Sequence, residues 1–326
     1  MVFYPDNEKR ATRLQQLVDS MANLQTDVKN IGHRMDEKNA KYRPAINALL
    51  KAHGMATVDD VINAAAAKMT PGDKKVFEAL IKTIKDTKSD FDTTYFVAGL
   101  LLAPEGVLSG SAYGKAVLNI ARFGVRMVNI KWMANFFKAA EEGSRAATIA
   151  ATEIAAEAEA AERTIKEAGE AGEELSEATK AVTLAGRIST FFKILGAIGL
   201  VITVIAGVIE AIVGAEQKKK LLEAIHGLQP ARLSTAFFKR EGTHIISHLE
   251  TLDLYLAAMP GGAEPNPELA ARVARKLISG IAEQNAAIDL NALETDLEIQ
   301  DHTSALFYGD DDLGHEAVVA AASKQS

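Results

Sequence analysis

Residues 14–35, LQQLVDSMANLQTDVKNIGHRM, carry the pattern that decides the fold of this chain. Apolar side chains recur there at alternating intervals of three and four residues, which is the heptad pattern of an amphipathic helix; they are Leu14, Leu17, Met21, Leu24, Val28, Ile31 and Met35. We predict one helix from about Asn7 to Tyr42, before Pro44, with a length of roughly 50 Å at about 1.5 Å per residue. That length indicates a rod-like molecule; the alternative is an ordinary bundle helix broken near Gly32.

The spacing of proline extends the helical prediction to the rest of the chain. No proline occurs between Pro104 and Pro230, and the sequence, which is 48% hydrophobic, is rich in alanine, glutamate, lysine and leucine. These residues favour helices, whereas proline interrupts them, so we predict an all-α fold. A second heptad pattern is expected to pack against the N-terminal helix; it consists of Ile245, Leu249, Leu252, Leu256 and Met259.

The domain organisation that we predict is a single elongated helical domain over residues 1–326. Residues 8–90 and 216–300 provide the helices of a tail bundle, and residues 91–215 form a head. Residues 308–326 contain few large apolar side chains. They are expected to form a flexible tail, because such terminal segments are poorly held.

Two helical stretches of the head differ in character. Between Gly114 and Lys138, large apolar side chains are mixed with basic ones at helical spacing. This mixture indicates either a core helix whose basic side chains reach towards water or a surface-active helix. Residues 145–182 are mostly alanine and glutamate, which predicts a long solvated helix, interrupted at Gly169 or Gly172.

Residues 194–215, ILGAIGLVITVIAGVIEAIVGA, are unlike the rest of the chain, and we name them the apolar segment. They hold one charged residue, Glu210, and show no polar face at a helical or a strand period. A helix that spans a bilayer needs about 20 mostly apolar residues, so the segment stands at the margin of that criterion. We predict that it enters a membrane, the alternative being a permanently buried core helix; its large apolar residues are Ile194, Leu195, Ile198, Leu200, Val201, Ile202, Val204, Ile205, Val208, Ile209, Ile212 and Val213.

Two further features accompany the apolar segment. Small residues recur every four positions at Gly207, Ala211 and Ala215, a row that lets membrane helices pack closely. Directly after the segment stand three basic residues, Lys218, Lys219 and Lys220. Lysines beside an apolar stretch can contact lipid headgroups, each contributing about 1 kcal/mol near an anionic surface. The alternative is that they form a solvated turn after a buried helix.

Several kinds of chemistry have no support in the sequence. The net charge of −7 argues against a nucleic-acid partner, and without cysteine the chain can form neither a disulfide nor a zinc-thiolate site. His244 and His248 are spaced as metal ligands on a helix, but HIISH lacks the glutamate of HExxH, and no third ligand is placed by the sequence. Residues 310–314 do not match the calcium loop of an EF-hand. We predict no metal, no cofactor and no enzymatic activity.

The arrangement resembles the α-helical pore-forming toxins of the cytolysin A, haemolysin BL and binary Xax/Yax type. The resemblance is one of architecture over about residues 8–300, with long helices around a central apolar segment, and it includes no diagnostic motif. It implies a soluble form that hides the apolar segment in a head. It also implies that residues 194–215 are the membrane-inserting element.

The leading functional hypothesis is therefore a pore-forming cytolysin or its membrane-binding component. Its partners would be a lipid membrane and either further copies of the chain or a second toxin subunit. The N-terminus lacks the pattern of a signal peptide, so we expect synthesis as a soluble cytosolic protein that acts on a target membrane after release. The alternatives are a non-lytic helical scaffold or coiled-coil interaction protein, and a lipid-associated protein similar to apolipoprotein L.

Overall fold

A computed structural model describes residues 6–86, 99–100, 111–170, 188, 191–192, 217–257, 288–304 and 307–323. These residues form helices and connecting turns without a strand, which confirms the all-α prediction for this part of the chain. The helices are α1 (Asn7–Ala52), α2 (Val58–Ala66), α3 (Pro71–Asp86), α4 (Ser111–Glu142), α5 (Ser144–Glu170), α6 (Gln217–Ala257), α7 (Leu290–His302) and α8 (His315–Ser323). The rod shape and the division into tail and head remain predictions.

Helix α1 buries the heptad pattern that the sequence showed. All seven apolar residues of the pattern are less than a tenth exposed, so one face of the helix lies in the core. The helix is continuous through Gly32, and the alternative of a break at that position is wrong. The predicted end before Pro44 is also wrong, because the helix continues to Ala52. Pro44 itself is exposed, while Ile46, Leu49 and Leu50 beyond it are buried.

Helices α1 and α6 pack side by side, as the second heptad pattern predicted, and they run parallel. Asp27 pairs with Lys239 at 2.7 Å and Arg34 pairs with Glu250 at 2.8 Å, so the residue numbers rise together along the two helices. Ile245 and Leu249 of the second pattern are buried, whereas Met259 lies outside the described residues. The packing of two parallel helices over this length forms the main axis of the bundle.

Helix α4 runs antiparallel to both α1 and α6 and occupies the centre of the bundle. Lys131 pairs with Asp36 of α1, and Arg126 pairs with Glu241 of α6. Every residue from 120 to 134 is buried, including the basic ones. This burial favours the core-helix interpretation of the stretch and shows how its basic residues are accommodated, since two of them are paired with carboxylates.

The remaining helices pack around this centre. Helix α5 contacts α3 and α4 through a narrow face of small and branched residues, while its glutamates Glu153, Glu159 and Glu167 are exposed. The prediction of a solvated helix therefore holds for one face of α5 only. Helix α2 starts at a capping box, in which Thr57 accepts a hydrogen bond from the Asp60 backbone and Asp60 accepts one from the Thr57 backbone. Pro71 opens α3 at the first helical position.

Candidate functional site

The membrane-inserting residues that the sequence predicts lie outside the described residues. This applies to the whole apolar segment and to the row of small residues Gly207, Ala211 and Ala215. Within the described residues no helix is long and apolar enough to cross a bilayer. The functional interpretation of the segment therefore rests on its sequence and on the described residues at its two ends.

The basic residues at the carboxyl end of the segment are described. Lys218, Lys219 and Lys220 are all exposed in the first turn of α6. Lys219 stands 3.8 Å from Glu223 one turn later, a surface pair that contributes little to stability. The three ammonium groups are therefore open to solvent and to any anionic surface that approaches this end of α6.

The amino end of the segment is anchored in a cluster of phenylalanine rings. Phe191 is fully buried, with its ring centroid 6.2 Å from that of Phe136 on α4 and 6.1 Å from that of Phe238 on α6. Phe192 meets Phe136 edge-on, with their centroids 4.8 Å apart. Aromatic contacts of this kind add about 0.5–1.5 kcal/mol each beyond the burial of the rings. The chain thus reaches the apolar segment from a rigid part of the core.

The two ends of the segment are attached at different levels of α6. Phe238, which contacts the amino end, follows Gln217 by 21 residues of continuous helix, and this corresponds to roughly 30 Å along the axis. Such a distance equals about the thickness of the hydrocarbon core of a bilayer. Both attachment points belong to the same bundle, because α4 and α6 are packed against each other.

A second site, which the sequence did not predict, is a polar cleft of about 510 Å³ near the start of α1. It is formed where residues 290–304 and 307–323, which we name the C-terminal strap, cover α1 and α6. The arginines at its base, Arg13 and Arg232, are each only 1% exposed. Asp301 of the strap accepts hydrogen bonds from both, at 2.7 Å from Arg13 Nη2 and at 2.7 and 2.8 Å from the two terminal nitrogens of Arg232.

A second aspartate completes this network of charges. Asp312 accepts hydrogen bonds from Arg13 Nε at 3.0 Å and from Arg13 Nη2 at 2.6 Å. Burial acts to raise the pKa of Asp301, but the hydrogen bonds from Arg232 and Arg13 outweigh it and hold the pKa below its ordinary value. Burial likewise acts to lower the pKa of Arg13, while its bonds to Asp312 and Asp301 raise it. Asp301 and Arg13 are therefore charged at neutral pH.

Glu294 differs from its neighbours in the cleft. It is 2% exposed, and its Oε2 atom has no hydrogen-bond partner among the described residues. Burial raises the pKa of this carboxyl to about 7, against the attraction of Arg232 and with a further increase from Glu298. A carboxyl group that loses its proton near neutral pH, inside a network of fixed charges, makes the cleft sensitive to pH.

Further polar contacts also hold the strap. Arg10 Nε lies 2.9 Å from Asp311 Oδ2, and Tyr308 donates to the same carboxylate at 3.0 Å. His226 Nε2 lies 2.8 Å from the carbonyl oxygen of Asp311, which can only accept, so the imidazole donates. Gln229 accepts from the backbone N–H of Leu313 at 2.9 Å.

The prediction of a flexible tail at 308–326 is therefore wrong for its described part. Residues 315–323 form α8, in which Val318 is fully buried and Ala322 is 3% exposed. The acidic run at 310–312 is also attached to the bundle, because Asp311 pairs with Arg10 and Asp312 pairs with Arg13 of α1. The sequence carried one signal of this site: Arg10 and Arg13 precede Leu14 on the helix that begins the heptad pattern.

The histidine pair of α6 lies in a different environment. His248 meets Phe123 edge-on at 5.8 Å, and Glu241 is paired with Arg126. Burial lowers the pKa of His244, although the nearby Glu241 acts in the opposite sense. Within the described residues, no group of three or more histidine or acidic side chains is arranged to hold a metal ion.

Comparison of the sequence and the structure with known protein families, curated proteins and solved structures finds no match. The resemblance to helical pore-forming toxins therefore stays an expectation from the sequence.

Proposed function

We propose that this protein is a membrane-inserting α-helical pore former, or the membrane-binding component of one, and that the apolar segment is the part that enters the lipid. The observation that carries the proposal is the contrast between this segment and the described bundle. Of the large apolar side chains in the described residues, Ile149 and Ile299 are the exposed ones. The described surface of the bundle is otherwise compatible with water, which supports residues 194–215 as the part that enters the lipid.

The energetics support a triggered insertion. Burial of apolar surface is worth roughly 25 cal/mol per Å² whether the cover is protein or lipid, so the exchange of one for the other gains little. Membrane contact, with the exposed lysines at 218–220 near anionic headgroups, would contribute about 1 kcal/mol for each lysine. Assembly with further copies or with a second subunit on the membrane would supply the remaining drive.

The attachment of both ends to one bundle restricts how insertion can occur. A single crossing of the bilayer would place Phe192 and Gln217 on opposite sides, whereas α4 and α6, which hold them, are packed together. Insertion must therefore separate these helices or bring a second stretch of the chain into the membrane. The run from Tyr95 to Ala103 is the next most apolar stretch of the sequence. In lipid, each inserted stretch must pair its own backbone groups, which favours a helix.

The test compares two substitutions of isoleucine by aspartate in liposome and erythrocyte leakage assays. Ile202→Asp places a carboxylate in the centre of the apolar segment, which costs about 2.5–3.5 kcal/mol in a bilayer, and is expected to abolish dye release. Ile149→Asp is the matched control, since Ile149 is 52% exposed in water, and should leave release unchanged. Undiminished release by Ile202→Asp would refute the proposal.

A labelling experiment distinguishes a loss of membrane insertion from unfolding of the Ile202→Asp variant. The chain lacks cysteine, so a single Ile202→Cys variant can carry an environment-sensitive fluorophore. On addition of liposomes its emission should rise and become quenchable by lipid-attached quenchers, whereas a fluorophore at the exposed Ala22→Cys in α1 should stay unquenched. Flotation with liposomes without dye release would favour the lipid-associated alternative, and no binding at all would favour the helical scaffold.

A further inference from the structure

The C-terminal strap joins α1 to α6, and α6 is one of the two helices whose separation would free the apolar segment. On α1 it contacts Arg10 and Arg13, and on α6 it contacts His226 and Arg232. These α6 residues lie within the first half of the helix, and the helix begins directly after the apolar segment. Any movement of this end of α6 away from α1 must first break the strap contacts.

Both apolar and charged contacts hold the strap on the bundle. Its buried apolar side chains are few, namely Leu290, Leu297, Val318 and Ala322. Its charged contacts are more numerous and better buried, with Asp301 and Asp312 bound to two arginines that are almost inaccessible to water. Contacts between charges depend on the protonation of every group nearby, so pH can change the stability of the strap as a unit.

Glu294 is the group through which pH acts near neutrality. It lies on α7 and faces Arg232 of α6, His315 of α8, and the carboxylates of Glu298 and Asp301 on its own helix. When Glu294 is protonated, the buried cleft holds one negative charge fewer and Glu298 and Asp301 face a neutral neighbour. When it ionises, an additional buried carboxylate, whose Oε2 lacks a hydrogen-bond partner among the described residues, must be accommodated.

We propose that the C-terminal strap is a restraint on release of the apolar segment, and that ionisation of Glu294 loosens it, so that the strap holds most tightly in mildly acidic solution and opens more readily at neutral to alkaline pH. The restraint rests on the proposed function, whereas the pH response of the strap belongs to the bundle itself. The direction is opposite to that of an acid-triggered device.

The pH range in which the strap is most stable follows from the pKa shifts of Glu294 and Asp301. The pKa of Glu294 is raised from 4.5 to about 7, so its contribution to stability is complete below pH 4.5 and is lost as the pH rises through about 7. The pKa of Asp301 is lowered from 3.8, so its contribution is present above pH 3.8 and is lost only as the pH falls further. The strap is thus most stable at about pH 4 to 4.5, and it loses stability progressively as the pH rises towards 7.

The experiment measures opening of the strap by the reactivity of one thiol. Val318→Cys places a small, fully buried thiol on α8 in a chain without other cysteines, and a thiol reagent can reach it only when the strap opens. After correction for thiolate fraction, labelling should be at least about tenfold faster at pH 8 than at pH 5. The same probe in the Glu294→Gln background should show no such increase. Ala65→Cys, buried in α2, is the control for opening of the whole bundle.

Dye release from liposomes by the protein without a probe is measured over the same pH range, with detergent release as the reference at each pH. Release that rises with labelling, and loses its pH dependence in Glu294→Gln, supports the restraint. Labelling that does not respond to pH, or responds equally in Glu294→Gln, overturns the pH response. Glu294→Met is a second neutral variant for the case in which Glu294→Gln does not fold. Dye release that does not change with strap opening overturns the restraint and leaves the proposed function standing. The absence of both dye release and liposome binding at every pH overturns both.

Discussion

The closest approach of α1 and α4 gives the sharpest prediction about stability. A Cβ atom added at Gly32 would lie 2.6 Å from the Cβ of Ala134, whereas carbon atoms in contact prefer about 3.5–4.0 Å. Both atoms are fixed to their backbones, so no side-chain rotation relieves the clash and the helices must move apart. Overpacking of this kind costs about 1–3 kcal/mol, and the higher helix propensity of alanine returns about 1 kcal/mol. Gly32→Ala should therefore destabilise the protein by up to about 2 kcal/mol.

A double-mutant cycle isolates the clash from other effects. Ala134→Gly alone should destabilise by about 1 kcal/mol through helix propensity, but combined with Gly32→Ala it restores the space between the helices. We expect the double variant to be about 1–3 kcal/mol more stable than the sum of the single effects. Urea unfolding followed by fluorescence of Trp132, which is buried on α4 next to this contact, provides the measurement. A Gly32→Ala variant as stable as the natural sequence, or a coupling near zero, would refute the reasoning.

Three further predictions concern other contacts. Asp301→Asn should cost about 3–5 kcal/mol at pH 7, because Arg13 and Arg232 lose a charged partner. In urea titrations the difference should begin to shrink as the pH falls below 3.8 and should vanish once the pH is below the lowered pKa of Asp301 in the folded protein; a difference that stays constant in acid would contradict this. Phe136→Ala should cost about 3–5 kcal/mol in the same assay, as its ring is 1% exposed, and a loss below 1 kcal/mol would show that the cluster is loosely packed. Thr57→Ala should cost about 1 kcal/mol by removing the cap of α2, with Thr12→Ala, which caps no helix, as a neutral control.

The sequence predicted the parts of the fold that depend on local periodicity. The heptad patterns of α1 and α6 each place apolar residues on one face of a helix. Such a pattern is specified by residues that are close together in the sequence, so it can be recognised without the structure. Pro44 shows the limit of a local rule. Proline removes one backbone hydrogen bond at a cost of about 3 kcal/mol, and the buried Ile46, Leu49 and Leu50 beyond it offset that cost through contacts that no local pattern reveals.

The polar cleft could not be predicted because its partners are distant in the chain. The acidic run at 310–312 has the composition of a solvated loop. Arg13 is a charged residue near the beginning of a helix, a position that is normally exposed to water. Their pairing depends on the position of the C-terminal strap across α1 and α6, which is a property of the tertiary fold. The elevated pKa of Glu294 has the same origin, since it results from burial among side chains of three helices.

The separation between Arg13 and Asp312 also determines when the protein can finish folding. These partners are 299 residues apart, and a ribosome adds about 5–20 residues per second. Between about 15 and 60 seconds thus pass after synthesis of Arg13 before its partner exists. During this interval neither Arg13 nor Arg232 has the carboxylates that allow it to be buried, so the start of α1 cannot reach its final packing. The strap therefore makes completion of the bundle a late event in the life of the nascent chain.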